Sequence, residues 1–395
     1  MNKFLSVSAS LLALILSCDV DASDDFEFSG FARLVAGQYL QDDNSLRGYD
    51  DSISFDNDSL VALRGDCALS QSISLVGQAI YHSNEFRDSG IQWLYADYRP
   101  SRYISVKFGR QRIPFFQYSD VIDVGFAYHW ITPPISVYTN YLFTEFDGLL
   151  GRYNFSNSRF NAYAEAYYGQ FDGNITLFSE DIYADVDNIA GVLINVSSNK
   201  FSLRLSHHIG DTKVEQAELS AFSQTLSQLG FIESANTLLI NDPVSISQLG
   251  LAYEDIDYFL RGEYTITRSD AFLIAVRKSG YLSAGINAYP FTFHGTVSYG
   301  TSSVGQAPSE IPIGLSPELD QLAIGYGFVL GQVPPDEGYQ YTLGLRYDMR
   351  TNLAIKAELT HIEGEQGTRG FFDQVPRNNE EQSGQLLQFA VEWVF

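Results

Sequence analysis

The chain has 395 residues, of which 45% are hydrophobic, yet its mean hydropathy is only −0.09 and its formal net charge is −24. A charge of this size and sign excludes a general binder of nucleic acid or other polyanions. Beyond the first residues, no apolar run is long enough for a membrane-spanning helix. Aromatic residues make up 14% of the chain, with 25 Tyr and 28 Phe, which suits rings placed at two membrane–water interfaces. A large secreted β-sandwich or solenoid is the alternative, although we find no linker that would separate two cores.

The first 22 residues have the features of a cleaved secretory signal peptide. Lys3 precedes the apolar run FLSVSASLLALILS, which is too short to span a membrane, and Val20-Asp21-Ala22 offers a cleavage site. We therefore expect the mature chain to begin at Ser23. Cys18 leaves a lipid-anchored start as an alternative, because LILSC is a weak match to a lipoprotein cleavage signal.

The rest of the chain consists of short segments in which apolar and polar residues alternate, as in β-strands with one apolar face. Their length suits a tilted strand that crosses a bilayer, which needs roughly 9–11 residues. The segments are 26–38, 59–69, 73–82, 90–98, 103–110, 145–155, 159–169, 187–197, 200–208, 248–256, 258–268, 280–288, 292–300, 339–348, 353–363 and 385–395. Tight turns and long loops join them alternately, which predicts an all-β, antiparallel, up-and-down transmembrane barrel of about sixteen strands in residues 23–395. Apolar stretches at 271–277 and 322–330 leave eighteen strands as the alternative.

The second face of these strands is charged, which predicts a water-filled interior. In segment 201–208, for example, Leu203 and Leu205 would face lipid and Arg204 the lumen. A Lys or Arg at the lipid midplane costs about 2–4 kcal/mol, so charges are expected inside. The inward set contains Arg33, Arg64, Lys107, Arg152, Arg204, Arg261, Arg346 and Lys356, and also Glu27, Asp66, Glu165, Glu254, Glu263, Asp348, Glu358 and Glu392. Because the two signs balance, we expect a nearly neutral lumen whose charge pairs either create a transverse field or only stiffen the wall.

The third loop, residues 111–144, is the segment that we expect to set the bore. Its sequence, QRIPFFQYSDVIDVGFAYHWITPPISVYTNYLFT, contains many aromatic residues that need a surface to pack on. The inner wall of a wide barrel is such a surface, so we expect the loop to fold inward and to narrow the channel at mid-height. The rim of this constriction would present Arg110, Arg112, Asp120, Asp123, His129 and Glu145. The alternative is a loop that packs over the top of the barrel or on a neighbouring subunit.

Two other long loops have distinct compositions. Residues 41–59 are rich in Asp and could bind divalent cations, but they lack the spacing of a calcium loop, so a solvated acidic loop is the better interpretation. Residues 214–231 place Phe222, Leu226 and Leu229 at helical spacing, which predicts a short helix that serves as a lid or subunit contact.

We predict no enzyme activity, no cofactor and no metal site. The GxSxG, HExxH and Gly-rich phosphate-loop motifs are absent from the sequence. Ser206, His207 and His208 are adjacent, but neighbours on a strand face opposite ways, so they form neither a hydrolase pair nor a metal site.

The last segment ends on Phe395, with Trp393 and Val391 on the same side. Together with the leader, the sixteen segments and the long third loop, this ending resembles the porins of Gram-negative outer membranes. The resemblance covers nearly the whole mature chain. It implies a homotrimer in outer-membrane lipid and lipopolysaccharide, a constriction formed by the third loop, and a terminal Phe395 that the barrel-assembly machinery reads. This chain departs from the family in lacking a dense cluster of like charges opposite an acidic run, which puts strong ion selectivity in doubt.

These features predict a passive channel of the outer membrane for small hydrophilic solutes or ions, with no nucleic-acid partner. The pore-lining candidates are the six loop-rim residues together with Arg64, Lys107, Arg152, Arg204, Arg261, Glu263, Arg346 and Lys356. The alternative function is a non-conducting barrel that acts as an adhesin or structural protein, with loop 209–247 as its contact surface.

Overall fold

The computed structural model describes residues 26–41, 44–84, 87, 89–138, 143–177, 180–305, 307–333, 335–374 and 381–395. The expected signal peptide, residues 1–22, and its cleavage site therefore lie outside the described residues. The described residues form sixteen antiparallel β-strands in one closed barrel, in which each strand pairs with its neighbours in sequence and the first pairs with the last.

Turns of two to four residues join the strands at one end of the barrel. Longer loops join them at the other end, except between β7, which ends at Leu177, and β8, which begins at Glu180. The barrel therefore has a short-turn end and a long-loop end. The strands are β1 Phe26–Tyr39, β2 Leu60–Ser70, β3 Ile73–His82, β4 Gly90–Ser101, β5 Ile104–Arg112, β6 Glu145–Ser156, β7 Asn161–Leu177, β8 Glu180–Ser198, β9 Phe201–Val214, β10 Pro243–Glu254, β11 Tyr258–Ser269, β12 Val276–Ala288, β13 Phe291–Ser303, β14 Glu337–Arg350, β15 Leu353–Gly364 and β16 Gln382–Val394. The helices are α1 Ile135–Tyr138, α2 Ala217–Gln228, α3 Ile232–Thr237 and α4 Pro317–Leu330, and 3₁₀ turns span Ser119–Val121 and Gly125–Ala127. In the part of the chain that the structure describes, no helix has the length and apolarity needed to cross a membrane.

The sixteen-strand prediction is confirmed, and each predicted segment overlaps one observed strand. The eighteen-strand alternative is wrong. Residues 322–330 belong to helix α4, which begins at a conventional start signal: Pro317 opens it, and the Ser316 hydroxyl accepts a hydrogen bond from the Leu319 amide at 3.3 Å. The helix predicted within 214–231 is α2.

Strands β7 to β9 extend beyond the predicted segments at the long-loop end. Their pairing continues through Phe171↔Val186 and Ala184↔Val214 after irregularities in the register. Ile175 and Val186 are buried there, so apolar alternation persists where we had expected a loop. Residues 170–177, 180–186 and 209–214 thus form a raised wall on one side of the barrel rim.

The outside of the barrel is apolar and the inside polar. Leu343 is 68% exposed, whereas Ser206 and Glu358, which point the other way, are buried inside. Strand 201–208 follows its predicted facing, since Phe201 and Leu205 are exposed and Arg204 is buried. A closed barrel with an apolar outer belt satisfies every strand hydrogen bond without water, which is the architecture of an integral outer-membrane protein.

Strands β1 and β16 form the closing seam of the barrel. Gly30 N donates to Phe395 O at 2.8 Å, and Phe395 N donates to Gly30 O at 2.9 Å. The Phe395 ring lies over Gly30, where an added Cβ would come within 2.5 Å of the ring. At the long-loop end, the Asp373 carboxylate accepts hydrogen bonds from the amides of Arg47 at 3.0 Å and Gly48 at 2.8 Å. The first and last loops are thereby joined across the seam.

The first loop, residues 44–59 of the described chain, is partly folded into the barrel. Leu46 and Tyr49 are fully buried and pack with Ile135 of the third loop. Asp58 is also buried and lies 2.7 Å from Arg47. Burial would raise the pKa of Asp58, but the charges of Arg47 and Arg33 outweigh it and lower that pKa to about 2. Among the described residues, no group of three or more potential metal ligands is present here or elsewhere.

Candidate functional site

The described part of the third loop, residues 111–138 and 143–144, lies inside the barrel, as predicted, and packs against the inner wall. Its bulky side chains are buried, including Ile113, Phe115, Phe116, Trp130 and Ile131. Its backbone is hydrogen-bonded to inward-facing side chains of strands that lie far away in sequence. The alternative of a loop that covers the top of the barrel is therefore wrong. Tyr141, one of its aromatic residues, lies outside the described residues.

An aromatic cluster fills the space between the loop and the wall. Trp130 is fully buried, and its indole N–H donates to Thr296 Oγ1 at 2.9 Å. Its ring meets Tyr118 of the loop at 5.4 Å and Tyr281 of β12 at 5.5 Å, both edge-on. Edge-to-face ring pairs at these distances attract each other, and this stabilisation adds to the free energy gained by burying their apolar surface. The aromatic content of the loop thus serves to fix the loop to the wall.

Lys356 of β15 holds the tip of the loop. Its ammonium group donates to the carbonyls of Gly125 at 2.8 Å, Tyr128 at 2.7 Å and Trp130 at 2.7 Å. The neighbouring Arg346 donates to Tyr128 O at 3.0 Å. Lys356 is only 1% exposed, so its charge is used by the loop backbone rather than offered to the lumen.

Two further side chains near Lys356 bind the loop backbone, one on β15 and one on β1. Glu358 accepts hydrogen bonds from the amides of Ile131 at 3.1 Å and Thr132 at 3.0 Å. Arg33 of β1 donates to Ile131 O at 2.7 Å. Backbone amides and carbonyls that are buried without partners cost free energy, so these side chains compensate a loop segment that lacks regular secondary structure.

Strands β9 and β11 anchor the beginning and end of the buried segment. Glu263 accepts a hydrogen bond from Gln117 N at 3.1 Å and one from the Tyr138 hydroxyl at 2.5 Å. Arg204 donates to Pro114 O at 2.5 Å. Together with the Lys356 group, these contacts place most of the loop along β9 to β16 and β1.

His129 sits in a buried pocket of the wall that also contains His294. Its Nε2 lies 3.0 Å from Ser283 Oγ, and Arg261 donates to its Nδ1 at 3.3 Å. Burial, and then the neighbouring His294 and Arg261, lower the pKa of His129 well below its ordinary value. His129 is therefore a neutral hydrogen-bonding residue at pH 7.

Asp123 fixes the loop to β4 and β5 near its origin. Its carboxylate lies 2.6 Å from Arg112 and 2.9 Å from Arg87, and it accepts a hydrogen bond from Gln92 at 2.9 Å. Burial would raise the pKa of Asp123, but the two arginines outweigh it and hold that pKa far below its usual range. Glu145 adds a weaker contact, 3.8 Å from Arg112.

The opposite half of the inner wall, on β2 to β7, keeps exposed charges. Most of them form ion pairs along the wall: Arg64 with Asp66, Arg99 with Asp97, Arg110 with Asp147, and Arg152 with Glu165. The side chains of Arg64, Arg110 and Arg152 are 33%, 41% and 34% exposed. A polar cavity of about 300 Å³ opens beside Arg110 and Asp147 at the long-loop end of this half.

Aromatic rings lie beneath three of these wall cations. Arg64 lies 5.5 Å from the ring centre of Trp93, Lys107 lies 5.0 Å from that of Tyr95, and the Arg152 guanidinium lies 4.4 Å from that of Tyr163. Cation–π contacts at such distances hold the long side chains close to the wall. The charges of this half are therefore positioned rather than freely moving.

Asp120 of the third loop is exposed and interacts electrostatically with Lys107 and Arg152 of the facing wall. Within the described residues, neither Asp120 nor Lys107 belongs to an ion pair shorter than 4.0 Å, unlike the other wall charges. The loop and the wall thus meet at an exposed negative group, Asp120, and a partly exposed positive group, Lys107.

The predicted site residues fall into two groups. Six of them are buried and bonded to the third loop or its root: Arg112, Asp123, His129, Arg204, Glu263 and Lys356. Eight others are partly or fully exposed: Arg64, Lys107, Arg110, Asp120, Glu145, Arg152, Arg261 and Arg346. The candidate set omitted the rings of Trp93, Tyr95 and Tyr163, whose inward facing could have been read from their parity with Asp97 and Glu165.

No family model and no curated protein sequence matches the chain. Several solved structures do match. OmpT of Vibrio cholerae, an outer-membrane protein, has a TM-score of 0.55 at 11% identity, covering 94% of this chain and 99% of that one. The anion-selective porin from Comamonas acidovorans gives 0.54 at 14% identity, with coverage of 94% and 99%. Salmonella typhi OmpF, solved in complex with daunomycin, gives 0.52 at 10% identity, with coverage of 94% and 97%. At these identities the likeness establishes the fold, which is that of the Gram-negative outer-membrane porins.

Proposed function

We propose that the protein is an outer-membrane porin, a passive diffusion channel for small hydrophilic solutes or ions. The observation that carries this proposal is the asymmetric position of the third loop. The loop is bonded to β9 to β16 and β1, while the wall of β2 to β7 retains exposed Arg64, Arg110 and Arg152. A water-filled passage between the loop and this wall explains why these three arginines stay partly exposed. Arg204, Glu263 and Lys356, on the half that the loop covers, are buried.

The bore would be set by the gap between Asp120 and the wall that carries Lys107 and Arg152. The paired charges of the wall cancel over short distances, so the passage would be polar but close to neutral. Oriented charges align water, and an apolar solute would have to displace that water without replacing its hydrogen bonds. Small polar solutes would pass down their gradient, and no nucleotide, redox cofactor or catalytic step would be needed.

We also propose the assembly features that the fold suggests. One solved OmpT structure is described as a trimer form, and a homotrimer of this chain would bury part of its apolar belt. Lipid and lipopolysaccharide would cover the remainder, and Phe395, fixed against Gly30 at the seam, would be the residue recognised by the barrel-assembly machinery.

Conductance in a planar lipid bilayer tests the proposed function. Purified, refolded protein should give discrete current steps that rise linearly with voltage, and the reversal potential across a salt gradient would measure ion preference. As a control, the same preparation boiled in detergent should give no steps. A folded barrel that inserts but stays silent would contradict the proposal and would favour the non-conducting adhesin or structural protein.

A further inference from the structure

The long-loop end carries a small folded unit that the pore does not require. Residues 215–242, 304–305, 307–333 and 335–336 contain α2, α3 and α4, and we call this unit the helical cap. It has its own apolar core, in which Leu226 and Tyr326 are buried. Hydrogen bonds join its parts: Ser223 Oγ donates to Ala235 O at 2.8 Å, and Tyr326 Oη donates to Pro308 O at 2.6 Å. The helical cap is therefore an ordered surface and not a loose loop.

One face of α4 presents large apolar side chains to water. Ile324 is 72% exposed and Phe328, one turn later, is 69% exposed. Just before the helix, Ile313 and Leu315 are 80% and 75% exposed. Gly314, between them, donates its amide to Asp320 Oδ1 at 2.6 Å, which holds this segment against the first turns of α4. We call Ile313, Leu315, Ile324 and Phe328 the apolar stripe.

The apolar stripe is unusual for a helix in water. Its side chains are as exposed as that of Leu343, which is 68% exposed on the outer, lipid-facing side of the barrel. The exposed side of α2, in the same cap, instead carries Ala221, Gln224 and Gln228. Contiguous exposed apolar side chains on a soluble surface usually mark an interaction site.

The charge of the helical cap defines the chemistry of its partner. The helical cap contains eight Asp and Glu residues and no Lys, Arg or His. Two of the eight pair with cations outside the cap, Glu215 with Lys213 and Asp336 with Arg277 and Arg369, and six remain. Glu318 and Asp320 lie in the first turn of α4, three and five residues after Leu315 of the apolar stripe. An anionic lipid surface would be repelled, and a second copy of the chain would bring an equally acidic cap.

We propose that the apolar stripe is a docking surface for a cationic, amphipathic helical segment of another protein. Its apolar face would cover Ile324 and Phe328, and its Lys or Arg residues would lie near Glu318. This docking would not depend on conduction, since it uses the outer surface of the cap rather than the passage beside the third loop.

A peptide-binding experiment tests this proposal. The protein is placed in phosphatidylcholine nanodiscs and titrated against a fluorescein-labelled, 14-residue Lys/Leu peptide with helical amphipathic spacing, and fluorescence anisotropy reports binding. Empty nanodiscs and the matching Glu/Leu peptide are the controls. The expected result is saturable binding of the Lys/Leu peptide alone, weakened by added salt.

Variants locate the binding site. The double variant Ile324→Ser with Phe328→Ser should bind roughly ten-fold or more weakly, because two large apolar side chains leave the contact, and Glu318→Lys should also weaken binding. The matched control is Ile53→Ser with Phe55→Ser, which removes two exposed apolar residues, 66% and 48% exposed, from the acidic first loop. Unchanged single-channel conductance and heat-modifiable gel mobility would show that each variant is folded.

Three outcomes would overturn the proposal: no binding beyond empty nanodiscs, equal binding of the Glu/Leu peptide, or equal loss of binding in the first-loop control. A changed oligomeric state of the α4 double variant, measured by analytical ultracentrifugation, would also overturn it, since the stripe would then contact a second copy. None of these results bears on whether the barrel conducts.

Discussion

The ammonium group of Lys356 lies 2.6 Å from a carboxylate oxygen of Glu392, and each side chain is only 1% exposed. The same ammonium binds three carbonyls of the third loop. A buried charge is costly unless it is paired and fully hydrogen-bonded. The ion pair between β15 and β16 and the seating of the loop are therefore mutually dependent.

Replacing Lys356 with Met should release the tip of the third loop. Glu392 would keep only Arg33, at 3.8 Å, as a counter-charge. The carbonyl of Trp130 would lose its donor, and those of Gly125 and Tyr128 would lose one of two. The loss would be up to about 3–5 kcal/mol. We expect earlier unfolding in guanidinium, followed by tryptophan fluorescence, and a noisier open-channel current. The control is Lys107→Met, which removes a lysine from the open wall. A Lys356→Met channel as stable and quiet as the parent would contradict the anchoring role.

The burial of His129 predicts that acid weakens the folded state. The pKa of His129 is lowered well below its ordinary value by burial and by His294 and Arg261, whereas in the unfolded chain it is about 6.5. Below that pH the unfolded chain binds a proton that the folded barrel does not, so stability is fully present above about pH 6.5 and falls as the pH drops.

In the His129→Gln variant, the slope of the unfolding free energy against pH between 6.5 and 5 should therefore decrease by the equivalent of about one bound proton. Denaturant midpoints at several pH values give this slope. His207→Gln, which removes an exposed imidazole ring, is the control. The prediction fails if the two variants have the same slope.

The unpaired charges at the gap should govern ion preference. A unit charge about 4 Å from a passing ion changes its energy by about 1 kcal/mol in water, which corresponds to a roughly five-fold change in relative permeability. Asp120→Lys should shift preference toward anions, and Lys107→Glu should shift it toward cations. Reversal potentials in a salt gradient measure both shifts. Glu358→Gln, a buried loop anchor, is the comparison. A shift in Glu358→Gln as large as those in the two gap variants, or no shift in the gap variants, would argue against a gap at Asp120.

Shortening the third loop should widen the passage. Replacing residues 116–136 with a short Gly-Ser linker removes the part that lies along β9 to β16, so single-channel conductance should rise. Removing residues 217–238 from the helical cap is the control for a large loop deletion and should change conductance little. An unchanged conductance in a folded third-loop variant would mean that another segment sets the bore.

The packing of Phe395 on Gly30 should matter for closure. In Gly30→Val, the new side chain would meet the Phe395 ring, which lies within 2.5 Å of the position of an added Cβ. We expect slower formation of the compact, heat-modifiable band during refolding into detergent micelles. Gly262→Val, on β11 far from the seam, is the matched control. If both variants refold equally, the Phe395 contact has no special part in closure.

Much of the barrel could be predicted from sequence because lipid and lumen act on alternate residues of each strand. Phe201, Leu203 and Leu205 are exposed to the outside and Arg204 faces inward, as their alternation indicates. The inward folding of the third loop was also predicted, because its aromatic residues need a surface to pack on and the inner wall provides one. The sequence left open packing over the top of the barrel or on a neighbouring subunit.

The division of the lumen could not be predicted in the same way. Alternation shows that Arg64 and Lys356 both face inward, but one meets water and the other meets loop backbone. That difference depends on where a loop hundreds of residues away comes to lie. The raised wall of β7 to β9 was not predicted for a related reason. Its strands extend past the predicted segments because they pair with one another there, and that pairing depends on contacts between strands rather than on the sequence of one strand.

The seam between β1 and β16 is fastened at both ends, by Phe395 on Gly30 below and by Asp373 on Arg47 and Gly48 above. The upper fastening joins residues 326 positions apart, so it can form only after the last hairpin has docked. Until then, Leu46 and Tyr49 lack their cover from Phe372. An incompletely closed barrel would therefore expose these apolar side chains at its long-loop end. Chaperones and proteases that bind exposed apolar residues could distinguish such molecules from fully closed ones.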